Sequence, residues 1–502
     1  MACFLGIDIG TTSTIGILIE PGGRTLATAT RPVSLHTLRQ GWAEEDPEDW
    51  WANVCSLVPE LLETAGVEAR SIAGIGVTGM LPAVVLLDEQ DRLLRASIQQ
   101  SDGRCGAEVE ELRGEIDEGS FLERAGNGIN QQLVTAKLRW IARHEPDVFA
   151  RIATVFGSYD FINWRLTGRK SVDQNWALEA GFVNIRNRAL DEDLIAFARI
   201  PHGVLPEMVR SHEILGTVTP RAAEATGLVA GTPVAGGAAD HVASAFAAGI
   251  VSPGDVLLKF GGAADIMVAS KKARPDPRMY LDFHLVPGLF MPNGCMATGG
   301  SALNWFVDRI ASGEAEAARR AGQTIHQRLD TLAAGLPADA DGVQIIPYFL
   351  GEKTPVHDPQ ARGIVTGLSL NHGIGHLWRA LLEGFGYAFR HHVEVLREMG
   401  HPGTRFVASD GGARSRVWMQ IVADILGAPV NLLTGHPGSS LAAAWMAAIA
   451  TGQSEDWSGT SAFVHPGERV EPIPENMRIH DRGYLRFRDT YLRLSASRER
   501  AA

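Results

Sequence analysis

Apolar and polar positions along the chain divide it into short strands and helices in a recurring order. Phe4-Leu5-Gly6-Ile7-Asp8-Ile9 is an apolar run broken by one acid, which predicts a buried strand with Asp8 near its end. Gly10 predicts a sharp turn, because glycine accepts φ > 0 without steric cost. Thr14 to Ile19 then predicts the antiparallel return of a hairpin. Arg24 to Arg31 reads as a third strand ended by Pro32. Asp46-Pro47-Glu48-Asp49 combines an N-cap acid, a proline at the first helical position and acids in the first turn. The helix it starts buries Trp50 or Trp51, Val54, Leu57 or Val58, and Leu61. Ile72 to Thr78 reads as a buried strand that exits through Gly79-Met80-Leu81-Pro82. From about Cys105 to Arg199 the pattern is mainly helical, with Ser158 expected to cap a short helix that Gly168 stops.

Near Gly249 the opening theme returns. Asp255 to Val268 reads as apolar strand, small-residue turn Gly261-Gly262-Ala263, apolar strand. Two such units predict a duplicated fold with a cleft between the copies. A long amphipathic helix follows over His376–Met399, then a strand at Phe406–Ser409, the turn Asp410–Ser415, a helix over Arg416–Leu426, a strand at Val430–Leu433 and a helix over Leu441–Ala450.

Composition narrows the function classes. The 502 residues carry a formal net charge of −12, which argues against a general nucleic-acid or anionic-membrane surface. Four widely spaced cysteines, Cys3, Cys55, Cys105 and Cys295, fit packed reduced thiols of a cytoplasmic protein better than a zinc site or disulfide framework. No signal peptide is read at the start, and the longest apolar stretch, near Leu441–Ala450, is too short to span a bilayer.

Two stretches offer chemistry. Asp8 stands at a strand end beside Gly10, Thr11, Thr12 and Ser13, whose N–H and O–H groups suit phosphate oxygens while a carboxylate suits Mg²⁺. The plain alternative is an ordinary hairpin with a solvated acid. Asp240 follows the strand and small-residue turn Pro233–Ala239 and opens a helix of small residues, where the helix dipole favours its ionised form. It reads either as a base for an attacking hydroxyl or as a simple cap. Gly299-Gly300-Ser301 and Asp410–Ser415 are further Gly-rich turns that let a ligand approach backbone, but they match neither a Walker A loop nor a dinucleotide fingerprint. The tryptophans at 50, 51, 140 and 164 read as core, His391-His392 as a solvated helix face, and Arg482–Arg500 as a surface helix.

Taken together, Asp8–Gly16, Asp102-Gly103-Arg104, Lys137-Leu138-Arg139-Trp140, Gly236–Asp240, Ile346–Pro355, Asp358–Gly363 and Gly411–Ser415 resemble the FGGY family of carbohydrate kinases over nearly the whole length. Glu352–Gly363, with Gly367-Leu368 and His376–Glu383, nearly matches that family's C-terminal signature. The resemblance implies an α/β fold of two actin-like (ribonuclease H-like) ATPase domains around a central cleft. Residues 1–248 would hold the sugar and 249–502 the nucleotide. It implies phosphoryl transfer from ATP, with Mg²⁺, to a hydroxyl of a small sugar or polyol. Within the family the spacing is closest to xylulose kinases, which implies D-xylulose as acceptor and D-xylulose 5-phosphate as product.

On that resemblance Met80, Leu81 and Asp102 would face the sugar, with Asp240 as base and Asp8 as metal residue. Gly10 to Ser13 and Gly261-Gly262 would lie against phosphates, and Asn304, Gly411, Gly412, Ala413 and Ser415 would border the adenosine. Three positions depart from the family pattern: Leu81 stands where xylulose kinases carry histidine, Gly262 replaces a usual threonine, and Ser440-Leu441-Ala442-Ala443 lacks a usual glycine. Another ketose, polyol or sugar acid therefore stays open as acceptor. So does a non-catalytic, nucleotide-driven binding protein of the actin or Hsp70 kind. No nucleic-acid or membrane partner is expected, and a homodimer is compatible with the reading.

Overall fold

The computed structural model describes residues 2–433, 438–454, 457 and 463–499. They form two compact units. The first comprises Met1–Val251, Lys271–Met291 and Pro437–Val464; the second comprises Ser252–Ser270, Pro292–His436 and His465–Ala502. Two later segments, Lys271–Met291 and Pro437–Val464, thus join the first unit.

The first unit is built on a sheet of β1 (Cys3–Ile9), β2 (Ser13–Ile19), β3 (Thr25–Pro32), β4 (Ile72–Gly79), β5 (Ile214–Thr217), β6 (Pro233–Ala235) and β7 (Ala238–Ala239). Its order is β3-β2-β1-β4-β6-β5, with β7 also beside β4. The β1–β2 hairpin predicted from the apolar pattern is present, pairing Asp8 with Ile15. The helix Pro47–Ala65 covers β2 and β3 and buries Trp50, Trp51, Val54, Leu57, Val58 and Leu61. Its cap is the predicted one, with Asp46 Oδ1 accepting from the Glu48 N–H at 2.9 Å.

Helix Ser439–Ala450, far along the chain, packs against β1 and β4 in the same unit. A glycine is required at each contact. A Cβ on Gly6 would lie 1.9 Å from the Ser440 carbonyl oxygen, and one on Gly76 would lie 2.0 Å from that of Ala443. Backbone-to-backbone packing of this kind explains why a segment after residue 436 joins the first unit. It also explains the run of small residues in that helix.

The second unit repeats the topology with β8 (Asp255–Phe260), β9 (Ala264–Val268), β10 (Phe290–Met296), β11 (Arg405–Ser409), β12 (Val430–Leu433) and β13 (Pro466–Val470). The order β10-β9-β8-β11-β12-β13 matches β3-β2-β1-β4-β6-β5 position by position. In both sheets the successive pairings are antiparallel, antiparallel, parallel, parallel, antiparallel. The duplication read from the strand-turn-strand pattern thus extends to six strands of each sheet.

Several local expectations need correction. Gly10 is not among the residues with positive φ; its turn is closed by the Gly10 N–H donating to the Ser13 carbonyl at 3.0 Å. A Cβ there would sit 3.1 Å from that same oxygen, so closeness rather than dihedral favours glycine. Ser158 is the first residue of helix Ser158–Thr167, not its cap. Asp160 accepts from the Gly157 N–H at 3.0 Å, and the Ser158 hydroxyl donates to the Met80 carbonyl at 2.7 Å instead.

His391 and His392 are buried on helix Ile374–Glu398, not solvated. Burial pushes the His392 pKa down to about 4, while Thr354 Oγ1 lies 2.9 Å from its Nε2. Trp50, Trp51 and Trp140 are core residues, as read. The arginine-rich stretch lies on helix Pro474–Glu499, apart from Arg500, which falls outside the described residues. The four cysteines are free thiols, and among the described residues no helix is long and apolar enough to cross a membrane.

Candidate functional site

In the first unit β1, β4 and β7 lie side by side and parallel. Asp8 pairs with Thr78 and Thr78 with Ala238; one step on, Ile9 pairs with Gly79 and Gly79 with Ala239. Gly10, Met80 and Asp240 therefore leave the sheet in one row at the carboxyl ends of three neighbouring strands. Adjacent strands are about 4.8 Å apart, so the row spans roughly 10 Å. Carboxyl ends of parallel strands are where α/β sheets gather ligands.

Asp8 is buried, not solvated as an ordinary hairpin acid would be, and its Oδ1 accepts from Thr78 Oγ1 at 2.9 Å. Met80 is held from three sides. Its N–H donates to the Ile9 carbonyl at 3.0 Å, Thr11 Oγ1 lies 3.5 Å from its sulfur, and Ser158 binds its carbonyl. The row and the Thr11–Ser13 turn are thus one hydrogen-bonded construction. Leu81 is buried beside Met80. The side chains of Asp8, Thr11, Thr12 and Ser13 offer only oxygen, the ligand atom that suits Mg²⁺ rather than a softer metal.

Asp240 is the first residue of helix Asp240–Ala247, after Ala239 in the cap position. Its Oδ1 accepts from the His241 N–H at 2.6 Å, and about a third of its side chain (35%) stays exposed. It is therefore partly open to a ligand.

Asp102 is differently placed. Its side chain is fully buried, and its oxygens accept from the Ala43 N–H at 2.6 Å, the Arg104 N–H at 3.0 Å, Arg104 Nε at 2.8 Å and Arg104 Nη2 at 2.7 Å. A buried carboxylate is costly unless paired, and the Asp-Gly-Arg spacing lets the guanidinium fork close on it. The guanidinium also pairs with Glu44 at 2.6 Å and lies 3.8 Å over the Trp42 ring. The carboxylate expected to meet a sugar instead holds Arg104. Lys137 sits under the same region, wholly buried, with Nζ donating to the carbonyls of Gln99 at 2.7 Å and Pro82 at 3.3 Å. Burial pushes its pKa down to about 8.

In the second unit, six of the seven residues named for phosphates and adenosine on this side line one pocket of about 630 Å³: Gly261, Gly262, Asn304, Gly411, Gly412 and Ser415. Ala413 faces a neighbouring pocket with Asp410 and Leu432. The turn after β8 is tied to the next helix by the Gly261 and Gly262 carbonyls, which accept from the N–H groups of Gly300 at 2.8 Å and Ser301 at 3.1 Å. Gly412 allows a close approach, because a Cβ there would lie 2.5 Å from the Trp418 ring and 2.8 Å from the Phe260 Cβ.

Residues missed from the sequence complete the pocket. Asp330 accepts from Ser415 Oγ at 2.7 Å and from Trp378 Nε1 at 2.8 Å, and Trp378 and Trp418 supply flat apolar wall. Nothing in a lone Asp330 or Trp378 signals such a role, since helices Ile325–Ala334 and Ile374–Glu398 come to the β11 turn only in the fold. His241 and Asp282 in the first unit were missed for the same reason; their ring nitrogen and carboxylate oxygen lie 2.8 Å apart across 41 residues of chain.

Comparison with known proteins identifies the family. The N-terminal domain of the FGGY family of carbohydrate kinases matches residues 3–247, and its C-terminal domain matches residues 261–451. The crystal structure of xylulose kinase from Rhodospirillum rubrum is 56% identical, with a TM-score of 0.92 over 98% of this chain and 99% of that one. Xylulose kinase of Escherichia coli (strain K12) is 29% identical over 89% of this chain and 90% of its own. Gluconokinase of Bacillus licheniformis is 27% identical over 99% of this chain and 96% of its own. The folds match those of solved kinases in this family, two α/β domains of the actin-like (ribonuclease H-like) type. With both family domains matched in order along most of its length, the chain belongs to the FGGY family of carbohydrate kinases, phosphotransferases that use ATP on small sugars.

Proposed function

We propose that this kinase phosphorylates D-xylulose, forming D-xylulose 5-phosphate and ADP. The observation that carries the reading is the set of three adjacent strand ends: β1 with Asp8, β4 running into Met80-Leu81 and β7 running into Asp240. The name carried by the 56% identical Rhodospirillum rubrum structure supports the choice of sugar.

In this reading the acceptor lies along Met80 and Leu81 with its attacking hydroxyl at Asp240. The Asp240 carboxylate takes the hydroxyl proton as the oxygen bonds to the γ-phosphorus and the bond to ADP breaks. Its place at a helix N-terminus favours the ionised form of that carboxylate. Asp102 takes part indirectly, by fixing Arg104. Mg²⁺, when bound, neutralises charge on the phosphates, and Asp8 with the hydroxyls of the 11–13 turn would hold it. Backbone N–H groups of that turn bind phosphate oxygens.

In the second unit Gly261 and Gly262 offer backbone to phosphates, while Asn304, Gly411, Gly412, Ala413 and Ser415 border the adenosine. Transfer requires positioning and charge neutralisation more than covalent help, and water must be kept from the γ-phosphate.

Leu81 favours a second reading, with another ketose, a polyol or a sugar acid as the better acceptor, because it donates no hydrogen bond where xylulose kinases carry histidine. ADP release measured over D-xylulose, other ketoses, xylitol, glycerol and gluconate separates the two. D-xylulose should give the highest kcat/KM and ATP alone almost no turnover. A tenfold preference for another acceptor would move the enzyme to that substrate. Equal turnover without any sugar would remove the kinase reading of the site.

A further inference from the structure

Behind Asp240 the first unit holds a buried charged construction that the reaction as described does not use. The strand Tyr280–Phe283 is gripped by two asparagines. Asn127 donates to the Leu281 carbonyl and accepts from the Leu281 N–H, both at 2.9 Å. Asn175 does the same at Phe283, both at 2.8 Å. Between these clamps lies Asp282, its side chain wholly buried, with Oδ2 2.8 Å from His241 Nε2. The other ring nitrogen of His241 lies 3.4 Å from Asp240 Oδ1.

The acids around this imidazole come from three elements. Asp240 is on its own helix and Asp282 on the clamped strand, while Glu179, on helix Gln174–Glu179, brings a carboxylate oxygen within 4.8 Å of the His241 and Asp282 donors. Tyr159, whose own ionisation burial opposes, lies close enough to feel the Asp240 charge.

A buried carboxylate is costly without a cation, and His241 is one group that meets Asp282. Burial by itself would push the imidazole pKa down. The Asp282 charge and the hydrogen bonds to Asp240 and Asp282 outweigh it and hold the ring well above the usual histidine value. The ring thus lies between two carboxylates, Asp282 on one side and Asp240 on its outer side, a setting that favours its protonated form.

We propose that His241 is a positioning residue for phosphoryl transfer: anchored by Asp282, it orients the Asp240 carboxylate and keeps it ionised in acid solution. The inference rests on the reading of Asp240 as the base. An opposite charge within about 4–6 Å lowers a carboxylate pKa by about 1–3 units, so the cation extends activity to lower pH. Asp240 gives up some basicity in return.

The test is the pH profile of kcat for wild type, His241→Gln, Asp282→Asn and Asp240→Asn at saturating ATP and sugar, from pH 4.5 to 8.5, with thermal unfolding and metal content recorded for each. In His241→Gln the acid limb should move up by about one unit or more, leaving kcat within about threefold near pH 8 and falling increasingly below wild type toward the acid end of the profile. Asp282→Asn should move the limb the same way, and it stands in if His241→Gln does not fold. A loss equal at every pH, with the limb unmoved, would reduce His241 to a structural contact and overturn the proposal. So would a transition metal bound in dialysed wild type and absent from His241→Gln, since the nitrogen would then serve an ion. If instead Asp240→Asn keeps kcat within tenfold of wild type, the base assignment fails, a result distinguishable from failure of the clamp.

Discussion

The two sheets share one strand order and one succession of parallel and antiparallel neighbours, yet they end differently. At the parallel strand ends of the first unit stand the side chains proposed to meet the acceptor and the metal: Asp8, the Met80-Leu81 pair and Asp240. At the matching ends of the second, β8 runs into Gly261-Gly262 and β11 into Asp410 and Gly411-Gly412, so the pocket floor there is largely backbone. The first arrangement suits a small acceptor that must lose a proton. The second suits a long, partly flat anion held by N–H groups and aromatic walls. One framework carries both because the sheet fixes only where strands stop; the residues after the stop decide what is bound there.

The comparison can be broken at either end. Apart from Asp240, the largest effect is expected at Asp8. Asp8→Ala should lower kcat by about 10²–10³, the range for removing one electrostatic stabiliser, with the fold retained by circular dichroism. Wild-type turnover at saturating Mg²⁺ would remove Asp8 from the site.

The shared framework is tested next. Gly76→Ala places a methyl 2.0 Å from the Ala443 carbonyl and should destabilise the first unit by about 3 kcal/mol, at the upper end of overpacking costs. Chemical denaturation measures this. A loss under 1 kcal/mol would mean that helix Ser439–Ala450 can shift freely.

Gly412→Ala sharpens the contrast from the nucleotide side. Its methyl would meet the Trp418 ring at 2.5 Å, so the KM for ATP should rise about tenfold, equivalent to about 1.4 kcal/mol, while sugar affinity stays unchanged. An unchanged KM for ATP would place the nucleotide elsewhere. The smallest effect is expected at Leu81→His. A hydrogen bond to a neutral partner contributes about 0.5–1.5 kcal/mol, so D-xylulose kcat/KM should improve by up to about tenfold. No change for any substrate would show that Leu81 does not face the sugar.

Much of this contrast was legible in the sequence because it depends on local pattern. An acid ending an apolar strand, paired glycines before a helix and Asp46-Pro47 at a helix start are each read within a few residues. The repeated hairpin over 255–268 announced the second sheet. What stayed hidden depends on distant segments meeting. Helix Ser439–Ala450 joins the first sheet through Gly6 and Gly76, and Asp330 reaches Ser415 across 85 residues.

Asp102 shows the converse. Its motif was visible, but the local spacing that made it visible also lets Arg104 occupy its oxygens. His391 and His392 read as solvated because no acid or cysteine cluster stands near them in sequence. The structure buries them, with His392 bonded to a threonine and a main-chain carbonyl.

The central claim is that proton removal belongs to the first unit's strand-end row and rests on Asp240. Asp240→Asn keeps the side-chain shape and one acceptor oxygen while removing basicity. The decisive measurement is kcat of this variant with its best sugar, paired with sugar affinity by calorimetry. Asp240→Asn should lower kcat by about 10²–10⁴ with sugar affinity within about threefold of wild type. A kcat reduced by less than about tenfold would contradict it, because general-base loss costs more than that.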